Sequence, residues 1–556
     1  MKPASKTTGL RYWMGRVLQE CDHVSTDFSA DPVHHLRVAL RRCRSMADGM
    51  MAMDPDKEWK AMKKAGKRLF QRLGTLRDVQ IMMEWIEKLE VVMTRESADD
   101  SPARSTEHSE DLAHSPSSTE PAESDQHNPV ARALLDILKT RESEQKREAR
   151  AALDEFDRKQ WRQWSQSLPL RAARIRPGSA VFKHLALERW TAARDLHTRA
   201  MRNRSQIAFH TLRIGIKRFR YIVENFLPEE HKAWSNDLKH MQDLLGEVHD
   251  LDVLWATASS CHVFPDEASR QSWHVHIAEE RTKRIEEYRQ HMVGQDSLWN
   301  VWRAGLPQGK QVQEIATRRM KLWAKVLDPD FAHSERVARL ALELYDGLTA
   351  AGLMGPLNGN AQNGAAGDPR ACLYIAALLH DVGKAKGNKG HHKESLGMIK
   401  AHGTPLGWKA ESMERAAVVA RFHCGALPTR SHRALRDLLP DEQKVTIQLA
   451  AILRLANAFD AAHDGQIRRL RIVNAAAQSQ DRKRRTNGFL RKPAKLAPNE
   501  ALMISAEGFV PDSSTAQAVA GERYLLETIL RRPVVVRAMK SPALRRVAIE
   551  SRRFAS

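Results

Sequence analysis

The chain has 556 residues, 42% of them hydrophobic, which is enough apolar material for more than one core and points to two or three domains. Lys and Arg (89) outnumber Asp and Glu (68), and the formal net charge of +21 suits nucleic acid, an anionic membrane surface or a phosphate-rich ligand. Five widely spaced cysteines without CxxC or zinc-type spacing exclude a disulfide scaffold, and apolar runs such as Leu373 to Leu379 are too short to span a bilayer.

A basic start without an apolar h-region and the reducing-type cysteine usage together predict a soluble, cytoplasmic protein with no membrane partner. Near the N-terminus, VHHLRVALRRCR places His34, Arg37, Arg41, Arg42 and Arg44 along one segment. At helical period, offsets 0, 3, 7 and 10 fall within an arc of roughly 80°, while Leu36, Ala39, Leu40, Cys43, Ala47 and Met50 share the opposite side. The spacing predicts an amphipathic helix with a cationic stripe, and no acid from Val33 to Ala47 balances it. Read alone, it is also consistent with an exposed arginine-rich helix.

The stretch from about 97 to 129, rich in Ser, Pro, Asp and Glu, predicts a disordered acidic insertion. Helical patterns then resume from Val130 and run through Phe182 to Met201. FHTLRIGIKRFR next repeats the stripe as His210, Arg213, Lys217, Arg218 and Arg220, again without an acid from Phe209 to Val223. The repeat extends further: Lys67, Leu73, Gly74, Arg77 and Asp78 correspond to Lys239, Leu245, Gly246, His249 and Asp250. Two basic helices and two LG-x-x-x-D segments in the same order predict an internally duplicated helical domain over residues 1–305. Stacked like charges of this kind call for a polyanionic counterpart.

Around Pro307 the GLPQGK segment marks a boundary, and a second domain is expected over 306–556. Its informative residues are His333 in FAHSERVARLA, His380 and Asp381 in ALLHDVGK, His391 and His392 in KGHHKES, and His423 in ARFHCGALP. An imidazole and a carboxylate ending an apolar helix, with further histidines in order, suit a divalent metal such as Mn, Mg, Fe or Zn. Such a site acidifies water for attack on phosphorus, and Lys384, Lys386, Lys389 and Lys393 lie close in sequence to neutralise charge. Gly352 to Pro369 predicts a loop, DRKRRTNGFLRK a solvated basic loop, and QIRRLRIV, ALMIS and PVVVR a small terminal sheet. Neither GxxxxGK[ST], GxGxxG after a strand nor GxSxG occurs, and the 6% aromatic content disfavours a base-stacking nucleic-acid module.

The duplicated HxxRxxx[RK]RxR and LG-x-x-x-D pattern resembles the CHAD family, the conserved-histidine α-helical domain. That resemblance implies two pseudo-symmetric helical bundles around a basic channel that binds inorganic polyphosphate. It assigns the ligand to His34, Arg37, Arg41, Arg42, Arg44, His210, Arg213, Lys217, Arg218 and Arg220, with Lys67 and Lys239 as helpers. The second half, from His333 through LLHDVGK, GHHKES, ARFHCGALP and LAAILRLANAFDAAH, resembles the helical HD domain at the C-terminus of the exopolyphosphatase and guanosine pentaphosphatase family.

What this second resemblance implies is a metal shell of His333, His380, Asp381 and Asn457, a second ion on His392 and His423, and catalytic roles for His380, Asp381 and Lys384. The actin-like catalytic domain of that family has no counterpart here. Asn457 stands where an aspartate is expected and brings an oxygen without a charge, with Asp460 one turn on as a partial substitute. Glu394 replaces an expected histidine. The fold class is accordingly all-α, with a duplicated bundle followed by a helical HD domain and a few short strands.

Two functional readings follow. In one, polyphosphate capture is coupled to an HD-type phosphohydrolase acting on polyphosphate or a nucleotide. In the other, the chain is a non-catalytic polyphosphate binder associated with granules, its HD site degenerate. Nucleic acid is the less favoured ligand.

Overall fold

The computed structural model describes residues 9–99, 128–354, 368–473 and 501–539, with the backbone alone for 90–99. Most of the acidic insertion, the centre of the Gly352 to Pro369 loop and the DRKRRTNGFLRK run lie outside the described residues. Helices extend into both edges of the first of these, since Ser97 to Asp99 end one helix and Pro129 starts the next. The architecture is helical with three short strands among the described residues. The chain divides into two compact units, Met1–Gln308 and Gly309–Ser556.

The first unit comprises α1 (Leu10–Thr26), α2 (Ala30–Met51), α3 (Lys57–Ala65), α4 (Lys67–Asp99), α5 (Pro129–Asp154) and α6 (Arg158–Ala172). It continues with α7 (Ala180–Asn203), α8 (Gln206–Phe226), α9 (Pro228–Ser260), α10 (Glu267–Met292) and α11 (Leu298–Ala304). The predicted basic helices are α2 and α8. Leu36, Ala39, Leu40, Cys43, Ala47 and Met50 are all buried, as the periodicity requires, and the removal of this apolar face from water holds α2 in place.

Copy one needs two helices, α3 and α4, separated at Gly66, where copy two runs as the single helix α9. The longer spacing between stripe and LG segment in copy one comes from its linker, Ala52 to Asp56 between α2 and α3, where copy two has only Leu227 between α8 and α9. Val79, Trp85, Ile86, Leu134 and Leu138 from copy one share a core with Leu251, Leu254, Trp273 and Ile277 from copy two. The two repeats are therefore one packed body.

The second unit comprises α12 (Lys310–Leu327), α13 (Phe331–Ala350), α14 (Pro369–Leu379), a 3₁₀ turn over Val382–Lys386, α15 (His391–His402), α16 (Ala410–Arg421), α17 (Arg433–Arg436) and α18 (Pro440–Phe459). Strands β1 (Arg469–Val473), β2 (Leu502–Glu507) and β3 (Val534–Ala538) follow, with helices over Ser514–Glu522 and Tyr524–Leu530 between β2 and β3. β1 pairs antiparallel with β2, which pairs parallel with β3. Leu502, Ile504 and Ala506 recur at period two and enter the core with Leu344, Leu379, Ala417 and Leu455. The sheet thus closes one side of a core whose other walls are α13, α14, α16 and α18. No helix among the described residues is long and apolar enough to cross a membrane.

Candidate polyanion lane and candidate metal centre

In the first unit α2 and α8 pack side by side. Contacts climb in step along both: Arg41 lies over the Tyr221 ring, Ser45 Oγ accepts from Asn225 Nδ2 at 2.8 Å, and Gly49 faces Phe226. The helices therefore run in the same direction, and equivalent positions of the two stripes meet. A Cβ at Gly49 would stand 2.3 Å from the Phe226 ring, so this close approach requires glycine.

Arg37 and Arg41 from α2 meet Arg213 and Lys217 from α8: Lys217 lies within electrostatic reach of all three arginines, and Arg37 of Arg41 and Arg213. Burial, reinforced by Arg213, Arg41 and Arg37, pulls the Lys217 ammonium down to about 7 from its ordinary 10.5. The LG-x-x-x-D segments explain themselves here. Gly74 lies under Arg37, whose Nη2 would be 3.8 Å from a Cβ there, and Gly246 lies equivalently under Arg213, 4.0 Å from Nε. One helical turn later come the acids: Arg37 Nη1 is 4.0 Å from Asp78, and Asp250 is held near Arg213. Burial pushes Asp250 up to about 6, against the pull of Arg213 and with support from Asp78.

Other predicted ligand residues are turned elsewhere. Arg42 pairs with Glu224, contacts Asn225 and stacks on Trp13. Arg44 donates to the Lys63 carbonyl at 2.7 Å and lies over Phe70. Glu224, the first residue beyond the acid-free stretch, also stands 3.8 Å from Arg220. The stripe is thus narrower than its sequence: every third or fourth residue reaches the shared face, and the intervening arginines anchor helices. His34 is drawn below its usual range by burial and Arg41, while His210 Nδ1 lies 3.2 Å from His249 Nδ1. Lys67, Arg218 and Lys239 remain exposed. Arg77, Asp78, His249 and Asp250 belong to the lane although the sequence reading used them only to define the repeat.

In the second unit Asp330 caps α13 and accepts from the His333 backbone N–H at 3.2 Å. Each predicted histidine except His392 has its Nδ1 tied to a fixed acceptor. His333 donates to Asp460 at 2.7 Å, His380 to the Ala377 carbonyl at 2.7 Å, His391 to Asn388 at 2.9 Å and His423 to Ala420 at 2.7 Å. The Nε2 lone pairs are thereby left to converge. His380 Nε2 is 3.3 Å from Asp381 Oδ2, and His391 Nε2 and His423 Nε2 are 3.2 and 3.6 Å from Asp381 Oδ1 and 3.1 Å from each other. His333 Nε2 faces Asn457 Oδ1 at 2.9 Å.

His380 Nε2 and Asp381 Oδ1 are buried and neither has a well-formed hydrogen bond. Opposed lone pairs around one buried carboxylate are satisfied by a shared proton or by a cation, and Nδ1 tethers of this kind are how metal-ligating histidines are oriented. His333, His380 and Asp381 form one compact donor group and His391, His423 and Cys424 another. The residues therefore fit one or two divalent ions.

The electrostatics agree. Although burial opposes it, His380, His391 and His423 hold Asp381 far below the usual carboxylate range. The Asp381 carboxylate beside it pushes His391 up to about 10, whereas burial and His380 drive His423 well down.

Local sequence builds the turn. A Cβ at Gly383 would lie 2.1 Å from the His391 carbonyl oxygen, so glycine lets the HD turn press on the start of α15. Ser395 Oγ donates to the His380 carbonyl at 2.7 Å and accepts from Gly383 N–H at 2.9 Å. On the other side buried Arg454 donates to the Phe422 and Gly425 carbonyls, both at 3.1 Å, and clamps the loop bearing His423. Lys384 reaches Asp381 Oδ2 at 2.6 Å.

Two sequence-based placements change in this unit. His391, not His392, meets Asp381 and His423. Consecutive helical residues diverge by roughly 100°, and the bond to Asn388 turns His391 inward. His392 instead has Nδ1 3.5 Å from Cys424 Sγ. Asp460 does not stand in for an aspartate at 457, because it grips the far nitrogen of His333 and pairs with Arg336 at 2.9 Å. Glu394 faces Lys386 at 2.8 Å. Ser395 and Arg454, which position the HD turn and the loop bearing His423, gave no spacing signal in sequence.

Residues 13–259 match the family model described as the CHAD domain, and residues 315–502 match that described as Ppx/GppA phosphatase, domain III. No curated protein matches the chain.

Proposed function

We propose that the first unit binds inorganic polyphosphate along the α2/α8 lane and that the second is an HD-type, metal-dependent phosphohydrolase acting on a phosphorylated substrate, polyphosphate or a nucleotide. The observation that carries this reading is the convergence of Arg37, Arg41, Arg213 and Lys217 from equivalent positions of two parallel helices, at a cost visible in Lys217. A duplicated wall of charge suits a uniform repeating anion better than a base sequence. The matches to a CHAD domain and to a domain of the Ppx/GppA phosphatases support the same class of ligand.

In the second unit His333, His380, Asp381 and Asn457 would hold one divalent ion, and His391 and His423 with Asp381 a second. Bound there, such ions supply Lewis acidity and neutralise phosphoryl charge. Lys384, held at the rim by Asp381, places a further positive charge where a phosphoryl oxygen would arrive. The tethered Nδ1 atoms keep the ring nitrogens aimed without reorganisation.

Isothermal titration of the full chain with long-chain polyphosphate tests the binding half. Arg37→Glu with Arg213→Glu is expected to abolish binding while circular dichroism stays unchanged, and retained affinity would reject the lane. Preferential retention of RNA or DNA in a competition with polyphosphate would reject the ligand. For the catalytic half, phosphate release is measured with Mn, Mg, Fe and Zn against polyphosphate and nucleotides. Asn457 favours a second reading, in which the site binds metal weakly and the chain is a non-catalytic, granule-associated polyphosphate binder. Absence of turnover with every ion selects it.

A further inference from the structure

We propose that Cys424 is a cation ligand: with His391, His423 and Asp381 Oδ1 it forms a thiolate-containing second site that selects zinc or a similar borderline-soft ion over magnesium and manganese. This rests on the reading of the second unit as metal-binding and goes beyond it by naming a ligand and the ion it favours.

The distances carry the case. Donors bound to one tetrahedral zinc, at bond lengths of about 2.0–2.3 Å, sit roughly 3.3–3.8 Å from one another. Here Cys424 Sγ is 3.8 Å from His391 Nε2, which lies 3.1 Å from His423 Nε2 and 3.2 Å from Asp381 Oδ1, and the last two are 3.6 Å apart. The donor atoms of His391, His423 and Cys424 all fall within 4.8 Å of one another. A second observation points the same way: Asp381 is 2% exposed, and its Oδ1 is aimed at this group without a well-formed hydrogen bond.

Cys424 is also placed unlike the other cysteines. Cys21, Cys43 and Cys372 are buried, and half-buried Cys261 accepts from Arg141 Nη2 at 3.0 Å, whereas half-buried Cys424 turns its sulfur to the ring nitrogens of His391 and His392. Its loop is preset. Arg454 holds the carbonyls on either side of it, and Gly425 supplies the left-handed turn, φ 73°, that ends the FHCG segment. A thiolate, two imidazoles and one carboxylate are a donor set that favours zinc and iron, while magnesium and manganese prefer oxygen.

The test uses the full chain stripped of metal and titrated with cobalt(II) and then zinc. Wild type is expected to develop a thiolate-to-cobalt charge-transfer band in the near ultraviolet, which zinc displaces and Cys424→Ser lacks. Zinc affinity of that variant should fall at least about tenfold. A second arm needs no variant: zinc, but not magnesium, should protect Cys424 of wild type from iodoacetamide, read by peptide mass. Two bound equivalents with no thiolate band, or alkylation indifferent to zinc, overturns the role of Cys424 alone. Failure of wild type and His380→Ala alike to bind any ion overturns the metal reading of the whole unit and this inference with it.

Discussion

Raising the pH from 7 to 9 should weaken polyphosphate binding through one residue, Lys217. Burial and three neighbouring arginines pull its ammonium down to about 7, so above neutrality the free protein holds it mostly uncharged. A polyanion laid along the lane restores the ordinary preference for the charged form, so binding at pH 8 must take up close to one proton. By linkage the affinity then falls by up to about tenfold, or 1.4 kcal/mol, for each pH unit above 7, and by up to about 100-fold at pH 9. The same shift acts on folding. The folded lysine is depressed relative to the unfolded one, so its penalty is fully present below about 7 and vanishes as the pH rises toward 10.5, where stability recovers.

Calorimetry at constant salt, in buffers of unequal ionisation heat and with long chains whose internal phosphates stay ionised, reads the proton directly. Lys217→Arg keeps its charge throughout and should bind with a much flatter pH profile. Buffer-independent heats together with identical pH profiles for wild type and Lys217→Arg would refute the reasoning.

Three further outcomes follow from the geometry. Gly383→Ala puts a methyl group against the His391 carbonyl and should cost about 3 kcal/mol, the upper range for overpacking, seen as a lower Tm and a lost metal equivalent. Asp460→Asn weakens the tether on His333 Nδ1 and should reduce metal affinity by roughly 10- to 100-fold, whereas Asn457→Asp, which adds a charge beside His333 Nε2, should raise it; titration with zinc measures both. Gly49→Ala drives a methyl group into the Phe226 ring and should cost about 1–3 kcal/mol in denaturant unfolding, with polyphosphate binding reduced because α2 and α8 are forced apart.

Much of the site was legible before the fold. The stripe of α2 was readable because burial and exposure alternate at helical period, and Leu36, Leu40, Cys43 and Ala47 are buried as that period demands. The same logic failed for Arg42 and Arg44, which lie in the stripe's sequence but are claimed by Glu224 and the Lys63 carbonyl. In the second unit the HD dipeptide was plain, but the choice between His391 and His392 depends on which ring the Asn388 carbonyl turns inward. Arg454 could not be found by spacing, since it acts through backbone carbonyls of a loop far away in sequence.

Sequence by itself determined the helical class, the duplication, the sign of the lane and the types of donor in the candidate metal centre, because these follow from local periodicity and from which side chains are present. Tertiary structure alone decided which copies of those groups meet. Parallel packing of α2 on α8 brings Arg37 to Arg213, and the pressing of the HD turn on α15 through Gly383 brings His391 to Asp381. Such pairings join residues as far as 176 positions apart, and the pattern along any one helix contains no information about its neighbour.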